Sequence, residues 1–189
     1  MQEFELMQSA EKLVRDVIGV VRTDHVLVVT DAAKYPVGKV FALVCRALGA
    51  ETVVALMPMT GEHGSEPPRT IGAAMKTADV VFAPTTHAIT HTQARLDAFA
   101  AGAKVVILRG VTEDMMIKGA MTVDFKALKV RTEKLKEKLT RADQVTVTST
   151  TGTDITFSVA GAKPFRWTVI IMTTTGLPPS PRARRRHAR

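Results

Sequence analysis

The sequence predicts an α/β fold, a Rossmann-like sandwich with a mostly parallel sheet and helices on both faces. Three observations carry that reading. Short apolar runs alternate four times with stretches of helical period, the runs are rich in β-branched residues, and each run closes in turn residues. A C-terminal β-hairpin and an irregular basic tail complete the expected architecture.

The opening segment reads as a helix, with Leu6, Met7, Ala10, Leu13, Val14, Val17, Ile18 and Val21 recurring at three- and four-residue spacing. A first strand, His25–Thr30, is expected to be covered on both faces. Pro36 opens a helix through Lys39–Leu48 that Gly49 stops, and a strand over Thr52–Leu56 follows. After a Pro- and Gly-rich loop, Met57–Pro68, come a helix near Thr70–Thr77 and a third strand, Asp79–Ala83. The next pair is a helix over Thr92–Ala101 and a fourth strand over Lys104–Leu108. A Gly-containing connector then leads to Asp124, which caps a long charged helix ending near Arg141 with Phe125, Leu128, Leu135 and Leu139 facing inward. Gln144–Ser149 and Ile155–Val159 alternate in period two around Thr151-Gly152-Thr153, as a hairpin does.

Charge divides the chain. It has 189 residues, with 26 Lys or Arg against 18 Asp or Glu, a formal net charge of +8. Residues 1–163 hold all the acids and come to +2, whereas 164–189 hold six arginines and no acid. The expected organisation is therefore an α/β domain over 1–163 and a Pro- and Arg-rich tail over 164–189. No stacking aromatic accompanies the arginine run that ends the tail apart from the distant Trp167, so the tail is a poor nucleic-acid arm and neither a nucleic-acid nor a membrane partner is expected. Cys45 is alone and lies in an apolar run, which suits a buried, inert thiol in a reducing compartment. No stretch reaches the roughly 18 apolar residues of a membrane helix, and no signal-peptide pattern opens the chain, so a cytoplasmic setting is expected.

In open parallel sheets, ligands bind outside the carboxyl ends of the strands. Asp31 with Lys34, the Met57–Pro68 loop, Pro84–His91 and Arg109–Asp114 fall there. His87 and His91 have the four-residue spacing of helical zinc ligands, but Ala88 stands where a zincin needs Glu. Capping by Thr90 or Thr92 is the preferred reading of that segment. Glu62, His63 and Glu66 lie in a loop read as solvated, and Lys34 and Lys39 flank a helix N-terminus in a pattern that only weakly suggests an anion. No triad, Cys-x-x-Cys pair or serine elbow is present.

Several strings together resemble a known family. They are Glu66-Pro-Pro, Ala78-Asp-Val-Val-Phe-Ala-Pro-Thr, His91-Thr-Gln-Ala-Arg95, Gly110-Val-Thr-Glu-Asp-Met-Met and Met121-Thr-Val-Asp124. Over about Met1–Ala162 they resemble the N-terminal domain of the aminopeptidase T group, the thermophilic metalloprotease family of leucyl aminopeptidases. Ring-cleaving dihydroxypyridine dioxygenases with non-heme iron resemble the same family. The resemblance implies a metal-dependent hydrolase that removes N-terminal residues from peptides, works as a homodimer and uses two divalent ions such as zinc or cobalt. Its metal ligands lie in a C-terminal domain with no matching positions here. The chain is accordingly expected to be inactive by itself, with no catalytic residue and no metal ligand of its own. His91, Thr92, Glu66, Asp31, Lys34 and His87 are the expected cleft-facing positions. The alternatives are a domain of the iron dioxygenase and a non-catalytic binding or dimerisation module.

Beyond Ala162 the resemblance breaks off. Read two nucleotides out of phase, Arg166-Trp-Thr-Val-Ile-Ile-Met-Thr returns a string like the family's next segment, Leu-Asp-Gly-x-His/Tyr-His/Tyr-Asp. A frameshift near Pro164 is thus the expected origin of the tail.

Overall fold

The structure, a computed structural model, describes residues 2–161. These fall into two compact units, 2–123 and 124–161, so a boundary at Val123/Asp124 lies inside the α/β domain expected over 1–163. The tail over 164–189 lies outside the described residues.

The first unit is built on four parallel strands, β1 (His25–Thr30), β2 (Glu51–Leu56), β3 (Val80–Ala83) and β4 (Lys104–Ile107). They are ordered β2-β1-β3-β4, with Leu27 level with Val53 and Val81. Between them run α2 (Tyr35–Ala47), α3 (Arg69–Thr77) and α4 (Gln93–Ala100). Sequence reasoning thus locates each of these strands and helices, with shifts of a few residues at the ends.

The sheet separates two apolar layers because side chains alternate across it. Leu27, Val29, Val81 and Val105 join Met75 and Ala98 of α3 and α4 on one face. On the other, Phe41 of α2 stacks on Phe82 of β3, with ring centroids 5.2 Å apart and both rings fully buried. Gly38 lets α2 approach the end of β1, since a Cβ there would lie 3.1 Å from Thr30. Burying each such side chain contributes about 1.5–3 kcal/mol before entropy is counted. β2 departs from the pattern. It is an edge strand, and Val53, Val54 and Leu56 are exposed.

The N-terminal helix, expected to run on to Val21, is shorter and changes pitch. An α-helical part, α1 (Gln2–Glu11), continues as a π-helical segment, Lys12–Ile18, which ends at Gly19 in the left-handed region (φ 66°). Lys104 Nζ donates to the Ile18 carbonyl at 2.8 Å, satisfying one of its terminal acceptors. Val21, outside the helix, is exposed.

The Gly-containing connector after β4 holds a five-residue helix, α5 (Glu113–Ile117), and a single 3₁₀ turn, Ala120–Thr122. Thr112 caps α5 by accepting from Met115 N at 3.1 Å. Both elements were missed because they are too short for a periodic signal.

The second unit holds α6 (Phe125–Arg141) and an antiparallel hairpin of β5 (Gln144–Thr148) and β6 (Asp154–Ser158). Asp124 caps α6, as expected, accepting from Lys126 N and Ala127 N. The inward-facing stripe is not borne out. No α6 side chain is buried, and Leu135 and Leu139 are exposed. One helix and one two-stranded hairpin cannot enclose a core by themselves.

Candidate functional site at the carboxyl edge of the sheet

In this strand order the chain leaves β1 toward β2 and returns across it to β3. The crevice between the carboxyl ends of β1 and β3 is the topological switch point, where open α/β sheets bind ligands. Three loops meet there.

Asp31, the first residue after β1, lies under the crevice with 1% of its surface exposed. Its carboxylate accepts from Thr86 N at 2.6 Å, Thr86 Oγ1 at 3.0 Å and Lys34 N at 3.1 Å. The Lys34 ammonium donates to the Val111 carbonyl at 2.9 Å, drawing the β4 loop toward α2. Between the loops that follow β1 and β4 lies an open groove of about 400 Å³. Ala33, Pro36, Val37 and Val111 form its apolar lining, while Lys34, Thr112, Glu113 and Asp114 supply polar groups.

The Met57–Pro68 loop is docked on the loop after β3, where a solvated loop was expected. Gly64 N donates to Ala88 O at 2.8 Å, and Ala88 N donates to His63 Nδ1 at 3.0 Å. His87 Nδ1 faces the Thr60 carbonyl at 2.5 Å, so that nitrogen must carry the proton and donate. Conversely, His63 Nδ1 accepts and must be unprotonated. The two rings meet edge to face, 5.0 Å between centroids. Glu66 accepts from Gln93 N and Ala94 N at the start of α4.

Of the expected cleft-facing residues, the structure brings Asp31, Lys34 and His87 to the switch-point loops. Asp31 and Thr92 are buried. Thr92 caps α4, accepting from Arg95 N at 3.3 Å and donating to Ile89 O at 2.8 Å. Capping, the preferred reading of that segment, is therefore what the structure shows. Glu66 spends both oxygens on backbone donors. His91 is exposed at the turn into α4, and its imidazole has no protein partner among the described residues. Sequence reasoning missed Thr86, the partner of Asp31, because a threonine in a Thr-Thr-His loop carries no signal of a distant carboxylate. Cys45 is buried as expected, and loss of hydration pushes its thiol up to about 12.

No group of three or more His, Cys, Asp or Glu side chains among the described residues could hold a metal ion. His63 and His87 stand against each other with no third such side chain joining them, and Asp31 already accepts three hydrogen bonds. No described helix is long and apolar enough to cross a membrane.

The fold defines the class: an α/β domain with a mostly parallel sheet and polar loops at its switch point, the place where open α/β sheets bind ligands. A profile of the family "NicX: 2,5-dihydroxypyridine 5,6-dioxygenase" matches residues 14–176. The chain belongs to that family. Among solved structures it is similar to the 2,5-dihydroxypyridine dioxygenase from Pseudomonas putida KT2440, with 16% identity and a TM-score of 0.58. That similarity covers 82% of this chain and 47% of the other, so the chain spans about half the length of the dioxygenase it matches. At this identity the likeness speaks for the fold. No curated protein sequence matches significantly.

These findings correct the sequence reading. The chain is a dihydroxypyridine dioxygenase relative and not a member of the aminopeptidase T group, so the hydrolase, aminopeptidase and metalloprotease assignments fall away, while the expected metal dependence of the family stands. One of the strings that suggested the aminopeptidase contains the whole of β3, and others encode caps and docked loops. Glu66 and Thr92 are examples, and such features serve a scaffold whatever reaction it supports. The match also continues to residue 176, past the Ala162 limit from which a frameshift was inferred.

Proposed function

We propose that this chain supplies one wall of the substrate site in a metal-dependent dioxygenase that opens hydroxylated pyridine rings, with 2,5-dihydroxypyridine as the first substrate to test. The family match over residues 14–176 carries this reading. The carboxyl edge supports it with chemistry suited to a small polar ring: an apolar-lined groove, the Lys34 ammonium and the exposed imidazole of His91, which has no partner among the described residues. A ring bearing two hydroxyl groups needs donors and acceptors at its rim and a group able to take a hydroxyl proton, and His91 has the chemistry for the latter. The described residues do not fit an iron centre, so the part given to this chain is binding and orienting the ring.

The same proposal includes homodimers in the cytoplasm without nucleic-acid or membrane partners; the near-neutral charge of residues 1–163 supports the lack of a nucleic-acid partner and the single buried thiol a reducing compartment. A hydroxypyridine takes the place of the peptide expected of an aminopeptidase. Titrating the ¹⁵N-labelled chain with 2,5-dihydroxypyridine tests the reading. Saturable shifts at Lys34, Thr86–His91 and Val111–Asp114 are expected, and His91→Ala should weaken them. Shifts confined to the opposite edge near His25, or none at all, would sink it.

A further inference from the structure

We infer that Asp31 is the positioning residue of this site: it shapes the carboxyl edge through Thr86 and Lys34 and does not itself meet a ligand. Three donors, Thr86 N, Thr86 Oγ1 and Lys34 N, converge on its carboxylate at 2.6–3.1 Å, and the residue is 1% exposed. A buried carboxylate with this many donors has little capacity left for a substrate or cation.

What it does instead is join loops. Thr86 belongs to the β3 loop and Lys34 to the β1 loop. The restraint then spreads outward. Thr85 Oγ1 donates to His87 O at 2.7 Å, Gly110 N of the β4 loop donates to Thr85 O at 2.9 Å, and Lys34 Nζ holds Val111 O. One side chain thereby sets the start of three loops. His87 follows Thr86 directly, so the direction of its ring depends on this clasp.

The residue type fits the task. All three partners donate, so the site needs a group that only accepts. Asparagine would turn an N–H toward another N–H, and one buried donor would lose its acceptor. That the clasp shapes a substrate wall rests on the proposed function. The clasp itself does not, and its test uses no substrate.

The experiment compares the full chain with Asp31→Asn and Thr86→Val by amide hydrogen exchange and by the imidazole resonances of its histidines. His25, at the amino end of β1, is the internal control. For Asp31→Asn, exchange at the Thr86 amide should accelerate about tenfold or more, and the His87 ring resonances should move while those of His25 stay. Thr86→Val keeps the backbone donor and loses the hydroxyl, so it should shift His87 in the same direction with a smaller gain in exchange. If Asp31→Asn does not fold, Thr86→Val decides by the same readouts. Unchanged Thr86 exchange, or His25 and His87 moving equally, would overturn the positioning role. Failure of 2,5-dihydroxypyridine to bind would leave these readouts untouched, so the two proposals fail separately.

Discussion

The carboxylate of Glu66 lies across the first turn of α4, where Ala94 N donates to its Oε2 at 3.1 Å and Gln93 N to its Oε1. Glu66 comes from the loop after β2, so a residue distant in sequence completes the helix terminus that Thr92 begins. Helix N-termini leave backbone donors unmet and carry partial positive charge, and both effects favour an anion there. Glu66→Ala should cost about 1 kcal/mol, in the range of other lost caps. Glu66→Gln keeps acceptors without the charge and should cost less. Urea denaturation measures both, and limited proteolysis should cut the Met57–Pro68 loop faster in Glu66→Ala. Equal stability of all three proteins would remove the cap from the account.

Phe41 of α2 and Phe82 of the sheet are among the largest fully buried side chains and stack at 22° between ring planes. Neither ring is exposed, so truncation leaves a cavity as well as losing transfer energy. Phe41→Ala should cost about 3–5 kcal/mol, and Phe41→Leu distinctly less because most of the volume remains. Chemical denaturation gives both values. A loss below about 1 kcal/mol for the alanine variant would mean that the layer collapses around the gap.

Asp97 of α4 is bound by Lys76 of α3 at 2.5 Å and by Gln93 Nε2 at 2.6 Å. The hydrogen bond from Lys76, then that from Gln93, holds its carboxyl below the usual range. A folded-state pKa below the unfolded one adds stability above the unfolded value, and this is lost as pH falls through the folded value. The stability gap between the wild-type chain and Asp97→Asn should thus be widest at neutral pH and close on acidification below about pH 4. Urea midpoints at several pH values test this, and a gap that widens in acid would reverse the sign. Lys76 is exposed and Asp97 only half-buried, so added salt should shrink the gap too.

The strands were legible because buried parallel strands need continuous apolar runs, and Val26–Val29, Val80–Ala83 and Val105–Ile107 are such runs. The caps at Thr92 and Asp124 were legible because capping is local. The loop contacts were not. His87 meets the carbonyl of Thr60 and Asp31 meets Thr86 across 55 residues, and no spacing rule encodes a backbone partner brought near only by the sheet order. α5 left one trace, Thr112 followed by Glu113 and Asp114, the composition of a helix start. The reaction class was misread for a related reason. The recognised strings describe scaffold, the core strand β3 and the caps and docked loops around it, and among the described residues none assembles a metal centre.

Cys45 offers a clean kinetic test of the core. It lies in α2, fully buried, and burial pushes its thiol up to about 12, with the charge of Asp24 adding to the effect. Only the thiolate reacts readily with disulfide reagents, so at pH 8 the folded chain should be almost inert, whereas an unperturbed thiol ionises near pH 8.5. Reaction with a chromogenic disulfide should therefore follow unfolding, rising with urea along the same curve as the loss of helical circular dichroism. Phe41→Ala, which opens the same layer, should speed labelling in proportion to its loss of stability. Rapid labelling of the native chain at a rate independent of urea would show that α2 opens locally, and the buried position of Cys45 would then not protect it.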